Sequence, residues 1–271
     1  MWLTQEVDGV LRNEYGMKEK IFDKNGVEVY DSGYFGKVFL CGGRALYCEH
    51  DSAMRHEIMA HTAMCTHEEP KTVLVVDGGD GALAAELLKH KEVKIDIVER
   101  SEEVVEAAEA AGLYSKALQD ERVALNSGSA FEFMKGCKEG SYDIVFLNRF
   151  DEIDFDDASF FSEIGRLLGE KGLVVTDASS QLFDMAGHKA ALSALDDGFK
   201  IVMPFSYTSM VQAGGERWLA MGSRFFHPTA DINLQRADLT DGFVYYNSDL
   251  HVARFALPTE TFEKLREYIK R

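Results

Sequence analysis

No stretch of this 271-residue chain approaches the roughly 20 apolar residues that a membrane-spanning helix needs. The opening Met1-Trp2-Leu3-Thr4-Gln5-Glu6-Val7-Asp8 has neither a basic segment nor a long apolar run, so no secretory signal is expected and the chain reads as cytoplasmic. Cysteine is scarce. Cys41, Cys48, Cys65 and Cys137 form no C-x-x-C pair, and in a cytoplasmic chain they are expected as reduced thiols. With only 4 prolines, no Pro- or Ser-rich linker divides the chain. Positive charge is also in deficit: 29 Lys and Arg stand against 46 Asp and Glu, a formal net charge of −17. Such a field repels phosphate backbones and anionic headgroups, which argues against nucleic acid and membrane surfaces as partners. A cationic substrate is compatible with it.

What is present is ordinary globular composition, 46% apolar and 28% charged, which excludes disorder, collagen and coiled coil for the whole chain. Val27-Glu28-Val29-Tyr30 and Lys37-Val38-Phe39-Leu40-Cys41 read as short strands punctuated by Gly26, Gly33, Gly36 and Gly42-Gly43. They predict a small antiparallel β domain over residues 1–52. From Ser52 the spacing of Met54, Ile58 and Met59 turns helical, and Thr72–Val76 is an uninterrupted apolar run, as a strand buried on both faces requires. Helices over 82–90, 102–111, 130–135 and 159–168 alternate with strands over 94–98, 123–125, 143–147 and 173–175. Repeated β-α-β units with short links predict an α/β, Rossmann-like doubly wound sheet, the second domain spanning residues 53–271. After Gly198 the pattern reads mostly as strand, with a final helix over 261–270.

Between the first long strand and its helix lies Asp77-Gly78-Gly79-Asp80-Gly81-Ala82-Leu83-Ala84, which contains G-x-G-x-x-A, with Glu99 20 residues after Gly79. That pattern fits a nucleoside site, where glycines permit close approach and an acid reaches ribose hydroxyls; it also fits a tight strand-to-helix turn with no ligand. Asp77 and Asp80 decide what kind of ligand. A phosphate bound there would meet carboxylates, so a dinucleotide is disfavoured and a neutral or cationic adenosyl compound is favoured.

Several segments in order resemble the spermidine synthase (polyamine aminopropyltransferase) family. These are Trp2–Glu6, Phe35-Gly36-Lys37-Val38, His56-Glu57-Ile58-Met59-Ala60-His61, Asp77–Gly81, and the tail from Tyr245-Tyr246-Asn247 through His251 to Phe255-Ala256-Leu257-Pro258. The resemblance implies a methyltransferase-type C-terminal domain and assembly as a homodimer or homotetramer. It also implies transfer of the aminopropyl group of decarboxylated S-adenosylmethionine to putrescine, giving spermidine and methylthioadenosine. The nucleoside donor is then a co-substrate, and no cofactor or metal is expected. By the same resemblance Asp80 holds the donor's amine and Glu99 its ribose, with His56, Asn25 and Ser129 as further donor contacts; Tyr207 lies one place out of register with an acceptor-contacting tyrosine.

Departures from the family pattern fall at the reacting end. Where the motif has its first acid, the proton acceptor, this chain has Asn148, which can orient an amine or donor but has no useful basicity. Asp151 keeps the second acid and is therefore the expected catalytic and acceptor-binding carboxylate, with Glu152 and Asp177 in reserve. Arg55 replaces a tyrosine, and the gatekeeping loop after Glu152 is shortened. Reduced motifs of this kind are similar to those of some epsilon-proteobacterial spermidine synthases. Two other readings stay open: a weakened relative that binds adenosyl ligands or polyamines, and an S-adenosylmethionine-dependent methyltransferase. The run of five acids between Asp151 and Asp157 is either a solvated loop or a lure for a diamine at the crevice mouth. Cys48, His50, His56, His61, Cys65 and His67 lie close in sequence, but their spacings match no standard metal site.

Overall fold

The computed structural model describes residues 1–7, 9–148, 157–196 and 198–271. A hairpin of β1 (Trp2–Val7) and β2 (Leu11–Gly16) precedes an antiparallel sheet of β3 (Glu19–Lys24), β4 (Val27–Asp31), β5 (Lys37–Cys41) and β6 (Arg44–Cys48). Lys24 pairs with Val27 across Asn25-Gly26, and Cys41 with Arg44 across Gly42-Gly43. All four turn residues stand at positive φ, the backbone whose twist matches that of the flanking strands. Alternation along the strands then sorts the side chains. Val27, Val29, Phe39 and Tyr47 pack on Val104, Ala107 and Ala111 of α3 (Glu102–Ala111), while Tyr30, Val38, Leu40 and Ala45 cover Leu3 and Met17. The small alanines of α3 let the sheet approach closely and roof one side of the larger unit.

That unit opens with α1 (Ser52–Thr66) and then alternates: β7 (Thr72–Val76), α2 (Ala82–Leu87), β8 (Lys94–Glu99), α3, β9 (Val123–Ser127), α4 (Ala130–Gly136), β10 (Tyr142–Leu147), α5 (Ala158–Leu167), β11 (Leu168–Ala178), α6 (Met185–Ala194), β12 (Ile201–Thr208) and β13 (Glu216–Ser223). The strands assemble in the order β12-β13-β11-β10-β7-β8-β9, with β13 antiparallel to both its neighbours. Even the doubly buried β7 keeps its period of two. Val73 and Val75 join Ile58, Met59 and Leu83 on the α1–α2 face, while Leu74 and Val76 join Ile164 and Leu192 on the α5–α6 face. Each such side chain contributes about 1.5–3 kcal/mol through burial. The expected small antiparallel sheet followed by a Rossmann-like sheet is the fold observed. Among the described residues no helix is long and apolar enough to cross a membrane.

The C-terminal segment departs from the strand-rich expectation. Strands end at Ser223, and α7 (Leu234–Leu239), α8 (Ser248–Arg254) and α9 (Thr259–Leu265) follow. Asn233 and Asn247 cap α7 and α8 by accepting the Arg236 and Leu250 N–H groups at 2.9 and 2.8 Å. The last helix stops at Leu265 instead of reaching Lys270, because Lys270 bridges back to Val202 at the sheet edge. Of the two tryptophans, Trp218 is buried on β13 edge-on to His188, whereas Trp2 on β1 is 73% exposed.

Candidate active site

Strand order reverses between β7 and β10, so the crevice of an open sheet lies at their C-terminal ends. The loop after β7 is stitched to both neighbours: Asp77 N–H donates to the Val98 carbonyl at 2.8 Å, and Asn148 N–H to the Val76 carbonyl at 3.0 Å. Two glycines are dictated by crowding. A Cβ on Gly79 would stand 2.5 Å from Glu99 Cγ, and Gly81, at φ 78°, would drive one into the Tyr114 carbonyl. Close packing against Glu99 is therefore built into the loop.

Glu99, at the tip of β8, is 2% exposed. Its Oε2 accepts the Gly79 N–H and its Oε1 the Ser101 N–H, both at 3.0 Å, which fixes the carboxylate. Buried Asp80 accepts the Ala82 N–H at 3.1 Å. Asp77 instead pairs with Arg100 at 3.1 Å. His56 lies on α1 with Nδ1 3.0 Å from the Ser52 carbonyl; a carbonyl only accepts, so the proton sits on Nδ1 and Nε2 is left as an acceptor. That Nε2 is buried with no partner among the described residues. Burial, reinforced by the adjacent Arg55, holds the ring neutral by pulling its pKa well below the usual range. The Tyr47 ring meets His56 edge-on at 4.8 Å and Tyr114 stands 6.5 Å away, so an aromatic wall flanks the imidazole.

On the other side of β7, Asn148 Nδ2 donates to the Asp77 carbonyl at 3.0 Å, and Oδ1 is buried without a partner among the described residues. The Asn148 carbonyl accepts from Arg55 Nη2, which also pairs with Asp177 at the end of β11, 3.2 Å away. The Arg55 guanidinium faces the Tyr207 ring at 5.8 Å. Tyr207 donates to Gln212 Oε1 at 3.3 Å, and burial pushes its hydroxyl up to about 12. His56, Asp80, Glu99, Asn148 and Tyr207 thus converge on the strand ends.

Two other predicted residues sit at the rim. Asn25, exposed in the β3–β4 turn, donates to Glu103 in the first turn of α3 at 2.6 Å. Ser129, exposed beyond β9, caps α4 by accepting the Glu132 N–H at 3.4 Å. Asp151 and Glu152 lie outside the described residues. Asp157, last of the acidic run, caps α5 through the Ser159 and Phe160 N–H groups. The cluster of cysteines and histidines disperses: Cys48 joins the small-sheet core, Cys65 the large core, and His61 bonds His90 and Glu86.

Residue-by-residue reading missed Tyr47 and Asp51. Tyr47 looks like any aromatic in a strand. Buried Asp51 accepts from Cys48 N–H, Ser209 Oγ and Met210 N–H at 2.7, 2.8 and 2.7 Å, a clamp between elements remote in sequence that no local pattern announces.

A model of the spermine/spermidine synthase domain matches residues 52–223, well over half of the chain. The chain belongs to the spermine/spermidine synthase family. As a member it is a transferase of the aminopropyltransferase class. The polyamine aminopropyltransferase of Helicobacter acinonychis (strain Sheeba) is 30% identical over 275 residues, spanning 100% of both chains. That of Alkaliphilus metalliredigens (strain QYMF) is 28% identical over 278 residues, spanning 98% of each. Among solved structures, a spermidine synthase in complex with the transition-state analogue AdoDATO superposes with a TM-score of 0.92 at 24% identity, covering 98% of this chain and 95% of its own. Spermidine synthase from Thermotoga maritima gives 0.91 at 24% identity, covering 98% and 94%. At that identity the two structures speak for the fold.

Proposed function

We propose that this family member moves the aminopropyl group of decarboxylated S-adenosylmethionine to putrescine, releasing methylthioadenosine. The observation that carries the reading is the junction of Glu99, Asp80 and neutral His56 at the switch point of the sheet, which offers acceptors and negative charge where a phosphate would need donors. In this reading Glu99 takes the ribose hydroxyls, Asp80 the donor's ammonium, and His56 Nε2 accepts a hydrogen bond from the donor. Asn25 and Ser129 reach it from the rim. Asn148 orients the reacting groups through Oδ1, Tyr207 walls the acceptor side, and Asp151 removes the proton. The neutral amine then attacks the carbon bonded to sulfur, the C–S bond breaks, and its electron pair leaves with the thioether. Positioning supplies most of the acceleration, since the sulfonium is already a good leaving group.

No metal or cofactor enters this scheme, and the enzyme works in the cytoplasm as a homodimer or homotetramer. Pure protein incubated with decarboxylated S-adenosylmethionine and putrescine should release methylthioadenosine. Calorimetric binding of methylthioadenosine without turnover would leave an adenosyl-binding relative instead. Equal affinity for S-adenosylmethionine and its decarboxylated form, with methyl transfer, would favour a methyltransferase.

A further inference from the structure

Among the described residues Arg55 is the one lysine or arginine whose side chain is buried, at 4% exposure, and it lies in the crevice between the strand ends instead of in a core. Its Nη2 serves the Asn148 carbonyl and Asp177, yet its Nε–H is buried with no acceptor among the described residues. A guanidinium is a planar fork of five donors, matched to a carboxylate and charged at every accessible pH. Asp80, Tyr47 and Tyr207 lie near enough to act on its charge, and neutral His56 adjoins it in sequence. Side by side, Arg55 and Asp177 present one positive and one negative group. A diamine offers only ammonium groups to that pair and is repelled by half of it. An amine that also carries a carboxylate satisfies both halves by exchange: its ammonium goes to Asp177 and its carboxylate to Arg55.

We propose that Arg55 recognises a substrate carboxylate, so that the crevice admits an amino-acid-type substrate beside the carboxyl-free one; this rests on the aminopropyltransferase reading. The carboxylate has two sources, an α,ω-diamino acid as acceptor or a donor that has kept its carboxyl group. Bond changes are the same for either. The acceptor nitrogen forms a bond to the carbon attached to the sulfonium and loses one proton, the C–S bond breaks, and methylthioadenosine leaves with the electron pair.

The test measures methylthioadenosine release by wild type, Arg55→Gln and Arg55→Lys with paired substrates. One arm compares ornithine with putrescine on the decarboxylated donor. The other compares S-adenosylmethionine with its decarboxylated form on putrescine. In at least one arm Arg55→Gln should lower kcat/KM for the carboxylated partner tenfold or more relative to its carboxyl-free counterpart, with Arg55→Lys in between; the arm that responds identifies the source. If neither ratio moves, or wild type neither uses nor binds either carboxylated compound, the proposal is overturned. Release from no pair at all would sink the transferase reading instead. Calorimetry with ornithine and with S-adenosylmethionine then decides the role of Arg55: binding to Arg55→Gln that is at least tenfold weaker for the compound whose arm responds supports it, and anything less overturns it. Thermal melts establish that each variant is folded, and the wild-type comparisons need no variant.

Discussion

Glu99 holds one backbone amide with each oxygen, Gly79 N–H in the loop after β7 and Ser101 N–H at the start of α3, and it is the residue proposed for the ribose of the donor. Glu99→Ala should therefore weaken methylthioadenosine binding at least tenfold, about 1.4 kcal/mol, in a calorimetric titration. It should also lower stability by about 3–6 kcal/mol in urea, since two charge-assisted bonds are lost. Affinity equal to wild type would remove Glu99 from the donor site. Asp151 makes a contrasting pair with it. A well-placed base contributes typically 10²–10⁴-fold, so Asp151→Asn should cut turnover by about that range while donor binding stays near wild type. Full activity of that variant from pH 7 to 10 would pass proton removal to Glu152, Asp177 or solvent.

Element by element, the strands and helices of the doubly wound unit were legible in the sequence, because hydrophobic period and glycine punctuation are local signals. The residues proposed for the donor side stood out for the same reason: Gly79, Asp80 and Glu99 sit within one strand-loop-helix-strand unit. What escaped was non-local. Arg55 could be seen as a changed residue, but its pairing with Asp177 spans 122 positions. The short helices α7 and α8 read as strand because six or seven residues hardly develop a helical period before their asparagine caps become decisive. Asp51 shows how such long-range ties matter, since it couples the start of α1 to the end of β12. Asp51→Ala strips three hydrogen bonds to a carboxylate from that junction and should cost about 4 kcal/mol or more in a denaturant titration. Stability within 0.5 kcal/mol of wild type, about the scatter of neutral surface changes, would show the clamp to be idle.

At the scale of the whole molecule, acid should be the condition that loosens the fold. His61 is fully buried; it donates from Nε2 to Glu86 and accepts at Nδ1 from His90, an arrangement that needs the His61 ring neutral. Burial carries His61 down to about 3 and His90 likewise to about 3. A folded value below the unfolded one means stability that is complete above the unfolded pKa near 6.5 and is lost as pH falls toward 3. These two rings alone give a slope of up to about 2.7 kcal/mol per pH unit inside that window. Thermal melts between pH 8 and 4 should show it, and His61→Phe with His90→Leu should flatten it. Met1 and Trp2, 62% and 73% accessible at the open end of the N-terminal hairpin, are the neighbouring apolar groups that a self-association contact there would cover. Sedimentation should give a dimer or tetramer that Trp2→Glu dissociates; a monomeric wild type would end that assignment.

The two tryptophans give the chain a built-in optical label. Trp218 lies in the large sheet and Trp2 on the first hairpin, and their exposures are opposite. Native emission should therefore divide into a blue component deaf to acrylamide and a red component quenched by it. A denaturant that released the hairpin first would leave the blue component untouched until the large sheet gave way, so a single cuvette can report whether the two units melt together.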